Sequence, residues 1–259
     1  MHRRCRPSLI WVTLLGALMA LGFAVTASAQ VTEDFHRTVA VSSNGRVSLE
    51  NINGHVTITG WERDEVQIDA VKKAGNQQKL DEARIEVDAS SDSVRIRTRY
   101  PEGHTNNNPA HVTYELHVPR AARLDGINLV NGSLDVQRVS GEINASLVNG
   151  KANIHDLAGR AKVSSVNGAI NAYYRSLDNV RELELKSVNG SIDLGLPSSP
   201  NADVRASTVN GGITTDFPLQ VQGKFMGKHL DGKLGNGGTR IELSNVNGSI
   251  KIGSGEGNL

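Results

Sequence analysis

Four nine-residue units follow one another without a gap from Ser133: SLDVQRVSG, EINASLVNG, KANIHDLAG and RAKVSSVNG. Their second position holds Leu134, Ile143, Ala152 and Ala161, their fourth Val136, Ala145, Ile154 and Val163, and their seventh Val139, Val148, Leu157 and Val166. Side chains alternate between the two faces of a β-strand, so positions two and four face one way while position three (Asp135, Asn144, Asn153, Lys162) faces the other. The ninth residue is glycine each time (Gly141, Gly150, Gly159, Gly168), which suits a corner where the backbone takes positive φ or is closely approached. Asparagine precedes every second such glycine, at Asn131, Asn149 and Asn167, so the full period is 18 residues: two strands and two corners.

The Val-Asn-Gly signature returns at Val188-Asn189-Gly190, Val209-Asn210-Gly211 and Val246-Asn247-Gly248, after spacings of 22, 21 and 37 residues. The first two spacings read as corner insertions around Tyr173 to Leu177 and Ser198 to Ala202. The last reads as two coils, one of them within the glycine-rich stretch 223–238. An earlier copy, Ile52-Asn53-Gly54-His55-Val56-Thr57-Ile58, starts the pattern near the N-terminus. Two architectures accommodate this. Asn-Gly is a strong hairpin signal and allows an antiparallel meander or sandwich. A β-solenoid, parallel and β-helix-like, instead stacks equivalent residues about 4.8 Å apart. The solenoid explains why each position keeps its residue type, and it gives the asparagines a purpose, since amides hydrogen-bond along a ladder. An all-β solenoid with 18-residue coils is therefore the expected fold.

Residues 30–125 are less regular, with alternating strands at Val39/Val41, Val47/Leu49, Val66/Ile68, Ile85/Val87, Val94/Ile96 and Val112 to Val118. One short helix is expected over 76–84 (NQQKLDEAR). This region is expected to cap the repeat of 126–259, whose open end would otherwise invite edge pairing, the two making one continuous domain.

Residues 1–29 have the make-up of an export signal. Arg3, Arg4 and Arg6 precede an apolar run from Leu9 to Val25, and Ala27-Ser28-Ala29 places cleavage before Gln30. Removing those arginines from the 28 basic residues leaves 25 against 27 acidic ones, so charge gives no reason to expect nucleic acid as a partner. Cys5, the single cysteine, leaves with the signal, and packing and hydrogen bonds must hold the fold without a disulfide. No membrane span is expected after cleavage, and the product is expected in the periplasm or at the cell surface.

The exported start, Leu49-Glu50-Asn51-Ile52-Asn53-Gly54-His55-Val56-Thr57-Ile58, Tyr114-Glu115-Leu116-His117-Val118-Pro119, the Val-Asn-Gly ladder and Gly232 to Ile252 together resemble the bacterial "putative-adhesin" family of β-strand-repeat domains. The resemblance implies a β-helix-like fold and an extracytoplasmic place, and it brings no catalytic residues with it. The function it implies is non-catalytic binding or structural work in the cell envelope; the alternative is an envelope-stress accessory that assembles with itself.

The residues point the same way. The chain has no Gly-x-Ser-x-Gly elbow, His-Glu-x-x-His pair or phosphate loop, and Asp135, Glu142, Asp156, Asp193 and Asp216 occupy different repeat positions. An enzyme is not expected, a carbohydrate-active one being the remaining alternative. Calcium β-rolls share the nine-residue period, but only Asp135 and Asp193 follow a corner here, too few oxygen ligands for a hard cation. His104, His111, Glu115 and His117 are the best metal candidates, yet their spacing of six or seven residues reads as an ordinary wet strand face. No cofactor is expected. Trp61, Tyr173 and Tyr174 are the candidate stacking platforms for an envelope or surface polysaccharide, and another envelope protein is the alternative partner.

Overall fold

The computed structural model describes residues 30–101, 109–222 and 227–255; the segment read as an export signal, His104 and part of the glycine-rich stretch lie outside the described residues. The N-terminal part forms β1 (Val31–Ala40), β2 (Arg46–Asn53), β3 (Val56–Trp61), β4 (Glu65–Ala74), α1 (Gln77–Glu82), β5 (Arg84–Ala89), β6 (Ser93–Arg99) and β7 (His111–Pro119). The repeat follows as β8 (Arg123–Asn131), β9 (Leu134–Gln137), β10 (Ile143–Asn149), β11 (Ala152–Leu157), β12 (Ala161–Asn167), β13 (Ile170–Tyr174), β14 (Glu182–Asn189) and β15 (Ile192–Leu196). The chain ends with β16 (Ala202–Asn210), β17 (Ile213–Thr215), β18 (Val221–Gln222), β19 (Lys228–Leu234), β20 (Thr239–Asn247) and β21 (Ile250–Ser254). The boundary expected at 125/126 falls inside β8.

These strands build two sheets, here A (β1-β4-β7-β3-β9-β11-β13-β15-β21-β17) and B (β18-β19-β16-β20-β14-β12-β10-β8-β2-β6-β5). Each coil gives one strand to each sheet, and the coils pair in parallel: Ile143 lies opposite Ala161 in sheet B and Ala152 opposite Ile170 in sheet A. Both pairs are 18 residues apart, so in these coils the repeat is a parallel stack and not a meander. Antiparallel pairing is confined to the two ends, where β4 and β1 cover β7, β5 covers β6, and β19 covers β16. The alternating apolar side chains of both sheets point inward and join in one core. Leu134, Ile143, Ala152 and Ala161, the second position of the repeat, are all buried.

The chain does not climb the stack in sequence order. The coil β2/β3 lies between β6/β7 and β8/β9. At the other end β20/β21 lies between β14/β15 and β16/β17. The 37-residue spacing therefore hides no extra coil, contrary to the expectation from spacing alone. Past β17, the strands β18 and β19 lie beyond β16 at the stack's end, and β20 slots into a gap one strand wide between β14 and β16. Numbered from the N-terminal end, the coils are β6/β7, β2/β3, β8/β9, β10/β11, β12/β13, β14/β15, β20/β21 and β16/β17. The expected helix is shorter than 76–84: Asn76 caps it by accepting from the Lys79 amide at 2.9 Å, and the buried Lys72 Nζ donates to Ala83 O at 3.1 Å just past its other end.

The corners set the spacing. A Cβ built on Gly168 falls 1.9 Å from the carbonyl oxygen of Gly150, and one on Gly159 falls 1.9 Å from that of Gly141. Only a hydrogen fits there. Gly168→Ala is expected to lower unfolding free energy by roughly 3 kcal/mol or more, from forced separation of two coils, read in a denaturant titration; a change within error would show that the corners tolerate a methyl group. Deleting 239–259 leaves β14, β15, β16 and β17 each short of a partner, and the truncated chain is expected to aggregate or lose its cooperative thermal transition.

Candidate functional site: ladders on the outer surface

At the Asn-Gly corners the side chains form a continuous amide ladder. In stack order it runs Asn53, Asn131, Asn149, Asn167, Asn189, Asn247, Asn210, each Nδ2 donating to the previous Oδ1 at 2.8–3.0 Å. Each interior amide spends one N–H and one lone pair on the ladder and keeps one of each for solvent or a ligand. Beneath it the Ser165, Ser187 and Thr208 hydroxyls and the Asn245 amide donate to corner glycine carbonyls at 2.6–3.4 Å. Beside the asparagines lies an apolar ridge. Ile52, Val130, Val148, Val166, Val188 and Val246 are 39–41 % exposed and Val209 is 52 % exposed. Single exposed valines are ordinary; seven aligned on successive coils make a patch. Position seven of the repeat thus splits, Val139 and Leu157 going to the core and Val148 and Val166 to the surface. The signal was readable: Ile143, Ala145 and Leu147 alternate inward, which leaves Val148 facing out.

The outer face of sheet A carries two polar rows. In the first, His55 bridges Ser133 Oγ (2.6 Å) and Asp135 Oδ2 (2.9 Å), Asn153 donates to Asp135 at 2.5 Å, and Asn171 donates to Asn153 at 2.9 Å. Asp193 lies next in this row, three coils from Asp135 or about 14 Å, beyond the separation of a glycosidase carboxylate pair. The second row runs from His117 through Thr59, Gln137 and His155 to Tyr173. Trp61 sits half-buried at its start, its ring 5.2 Å from that of His117, with the Arg63 guanidinium 4.9 Å over it and its Nε1–H donating to Glu65 O at 2.9 Å. Tyr173 stacks on His155 with centroids 5.1 Å apart and planes 11° from parallel. Its own ring is only 7 % exposed, so it backs His155 more than it offers a face. Tyr174 points the other way, 4 % exposed, its hydroxyl donating to Gly159 O at 3.4 Å, and burial pushes its pKa up. Core packing, not a platform, is the place the fold gives it.

His111 and His117 lie six residues apart on one strand, about 20 Å, too far to share an ion. His117 meets Trp61 instead. Near it, Asp69 takes a 2.5 Å hydrogen bond with His36 and a 2.6 Å one from Gln67. Burial alone would raise the Asp69 pKa, but these bonds and the charges of His36 and His117 together hold it low.

On the outer face of sheet B, Glu184 is gripped by Lys186 on its own strand and by Lys162 at 2.9 Å on the neighbouring one. Hydrogen bonds from Lys186 and then Lys162 pull its carboxyl below the ordinary 4.5, against a smaller opposing effect of burial. A carboxyl depressed by folding adds stability that is full above the unfolded pKa and is lost as pH falls through the folded one. Glu184→Gln is therefore expected to be less stable than the parent at about pH 6 and to converge with it by about pH 3, measured as denaturation midpoints. A gap that stays constant with pH would show that this carboxylate does not couple to folding.

Residues 146–253 match the Toastrack DUF4097 family. No curated protein matches the chain. Among solved structures it is similar to a "putative cell adhesion protein" from Clostridium sporogenes at 14 % identity and TM-score 0.48, covering 86 % of this chain and 100 % of that one. A "putative adhesin" from Bacteroides fragilis is similar at 13 % identity and TM-score 0.41, covering 86 % and 97 %. The segment that matches the Toastrack DUF4097 family carries the Asn-Gly ladder from Asn149 to Asn247 and the ridge from Val148 to Val246.

Proposed function

We propose that the chain is an exported, non-catalytic β-solenoid that holds an extended, hydroxyl-rich polymer of the cell envelope, a surface polysaccharide or the glycan of peptidoglycan, on the outer face of sheet A. One observation carries this reading. Two ring pairs, Trp61 with His117 and His155 with Tyr173, stand in one row with Thr59 and Gln137 between them and the Asp135–Asn153–Asn171 ladder alongside. Rings give sugar faces a stacking surface, and fixed amides and carboxylates take their hydroxyls. His117 and His155 are three coils apart, about 14 Å, so the row suits a chain and not a monosaccharide. The parallel stack holds each station rigidly, which spares a flexible polymer's binding site its own ordering cost.

The Arg3 to Ala29 segment supports an extracytoplasmic place. Among the described residues no helix is long and apolar enough to cross a membrane. Pull-down with peptidoglycan sacculi and purified surface polysaccharides, followed by calorimetry on the one retained, tests the proposal. Trp61→Ala is expected to weaken binding by about fivefold to tenfold, and His155→Ala by a similar factor. Absence of binding to every polymer at tens of micromolar, or binding indifferent to both substitutions, would sink the reading.

A further inference from the structure

Four rows run along the outer face of sheet B: the apolar ridge nearest the corner, a middle and an outer row of polar side chains, and a fourth row at the strand starts (Arg46, Arg123, Glu142, Arg160, Glu182, Arg240). This last row lies beyond the surface argued for, since the axis below would set Arg123 on Arg160 and Glu142 on itself there. Taking the fourth coil, which carries Ser146 and Val148, as a centre, the charges of the first three rows fall in opposite-sign couples. In the middle row Glu50 lies two coils before the centre and Lys186 two coils after it. In the outer row Asp125 lies one coil before and Lys162 one after, and Arg95 three before and Glu242 three after. Even the strands beyond conform, Asp88 on β5 and Arg205 on β16 lying four steps either way. The remaining charges of these rows meet uncharged side chains: Glu184 is matched by Ser48, Arg97 by Ser244 and Glu86 by Ser207, while Arg99 and Arg84, at the ridge positions of β6 and β5, face Val246 and Val209. Moving the centre by one coil destroys the pattern: one way Lys162 meets itself and Asp125 meets Glu242, and the other way Asp125 meets itself.

We infer that this face is the interface of an antiparallel homodimer whose two-fold axis crosses the ridge at Val148. Such an axis lays ridge on ridge, with Ile52 of one copy on Val188 of the other and Val130 on Val166, and keeps each polar row against itself. Every couple named above then occurs twice across the interface. The equal coil spacing of the two copies puts all rungs in register at once, as in a zipper of stacked strands. The charges have partners within their own chain, Asp125 with Arg46 and both lysines with Glu184, but the side chains of Asp125, Lys162 and Lys186 stay 41 %, 55 % and 50 % exposed, leaving room for a second one. The rows cover about 30 Å along the axis and about 15 Å across, roughly 450 Å² and so just over half of the ~800 Å² that a standard interface takes from each partner, which suits a dimer of modest affinity. The polymer row lies on the other sheet, so the two proposals stand or fall separately.

Sedimentation equilibrium on the purified protein from roughly 1 to 100 µM decides the matter. The parent chain is expected to dimerise. Val148→Lys sets two ammonium groups against each other on the axis and is expected to weaken the dimer at least ~30-fold, as loss of a central contact does. Lys186→Glu places carboxylate against Glu50 and is expected to weaken it at least ~10-fold; adding Glu50→Lys to the same chain reverses the couple and restores the dimer, while circular dichroism confirms that each variant is folded. A parent that stays monomeric at the highest concentration overturns the inference. So does a dimer indifferent to Val148→Lys and Lys186→Glu, or a double exchange that fails to recover.

Discussion

The fold depends on how close two backbones are allowed to come at the Asn-Gly corner. With glycine there, one coil's carbonyl oxygen lies where the next coil's Cβ would be, 1.9–2.2 Å away from Gly54 through Gly248 and Gly211. The corner can then continue the same hydrogen-bonded spacing as the flat strands, the amides of Gly54, Gly132, Gly150, Gly168, Gly190 and Gly248 each donating to the asparagine carbonyl of the adjacent coil at 2.8–3.1 Å. A side chain would splay the corner, and the strands on both sides would diverge. The asparagine amides, the Ser165 and Ser187 hydroxyls and the core aliphatics are all aligned because this one contact is repeated, and each ladder adds to the cooperativity of the others.

Much of this was legible in the residues. The alternation of Leu134 and Val136, or Ile143 and Ala145, around a recurring glycine specified inward faces and corner positions, because local spacing alone decides them. The order of the coils was not legible. Asn247 lies opposite both Asn189 and Asn210, and nothing in a Val-Asn-Gly triplet says which neighbour it takes; all seven corners present the same edge. The choice is a long-range matter of chain routing, in which β18 and β19 come between β17 and β20. The N-terminal end repeats the lesson, since β6 and β7 read as irregular cap strands yet pair in parallel with β2 and β3 as a coil of the stack.

The outer surface divides along the same line. Trp61 was found by its chemistry, and its partner His117 by neither spacing nor composition, since the two meet only through the parallel pairing of β3 and β7. Tyr173 and Tyr174 are adjacent in sequence and face opposite sides of one strand, which alternation dictates once the strand is known to run through Tyr174. The valine ridge could have been counted from position, but an apolar residue in a strand reads as core until the corner's place is fixed.

The interleaved C-terminal end bears on how the molecule responds to mechanical load. β21 ends at Ser254 with β15 on one side and β17 on the other, and β20 is likewise held between β14 and β16. Tension applied at that terminus in the direction of β21 strains both of its ladders in shear, so many bonds must give together. Were the last coil of the chain also the last of the stack, the same tension would unzip a single edge, one bond at a time. Threading the terminus one layer inward turns a peeling geometry into a shearing one without adding a covalent link, a useful property in a protein whose single cysteine is absent from residues 30–259.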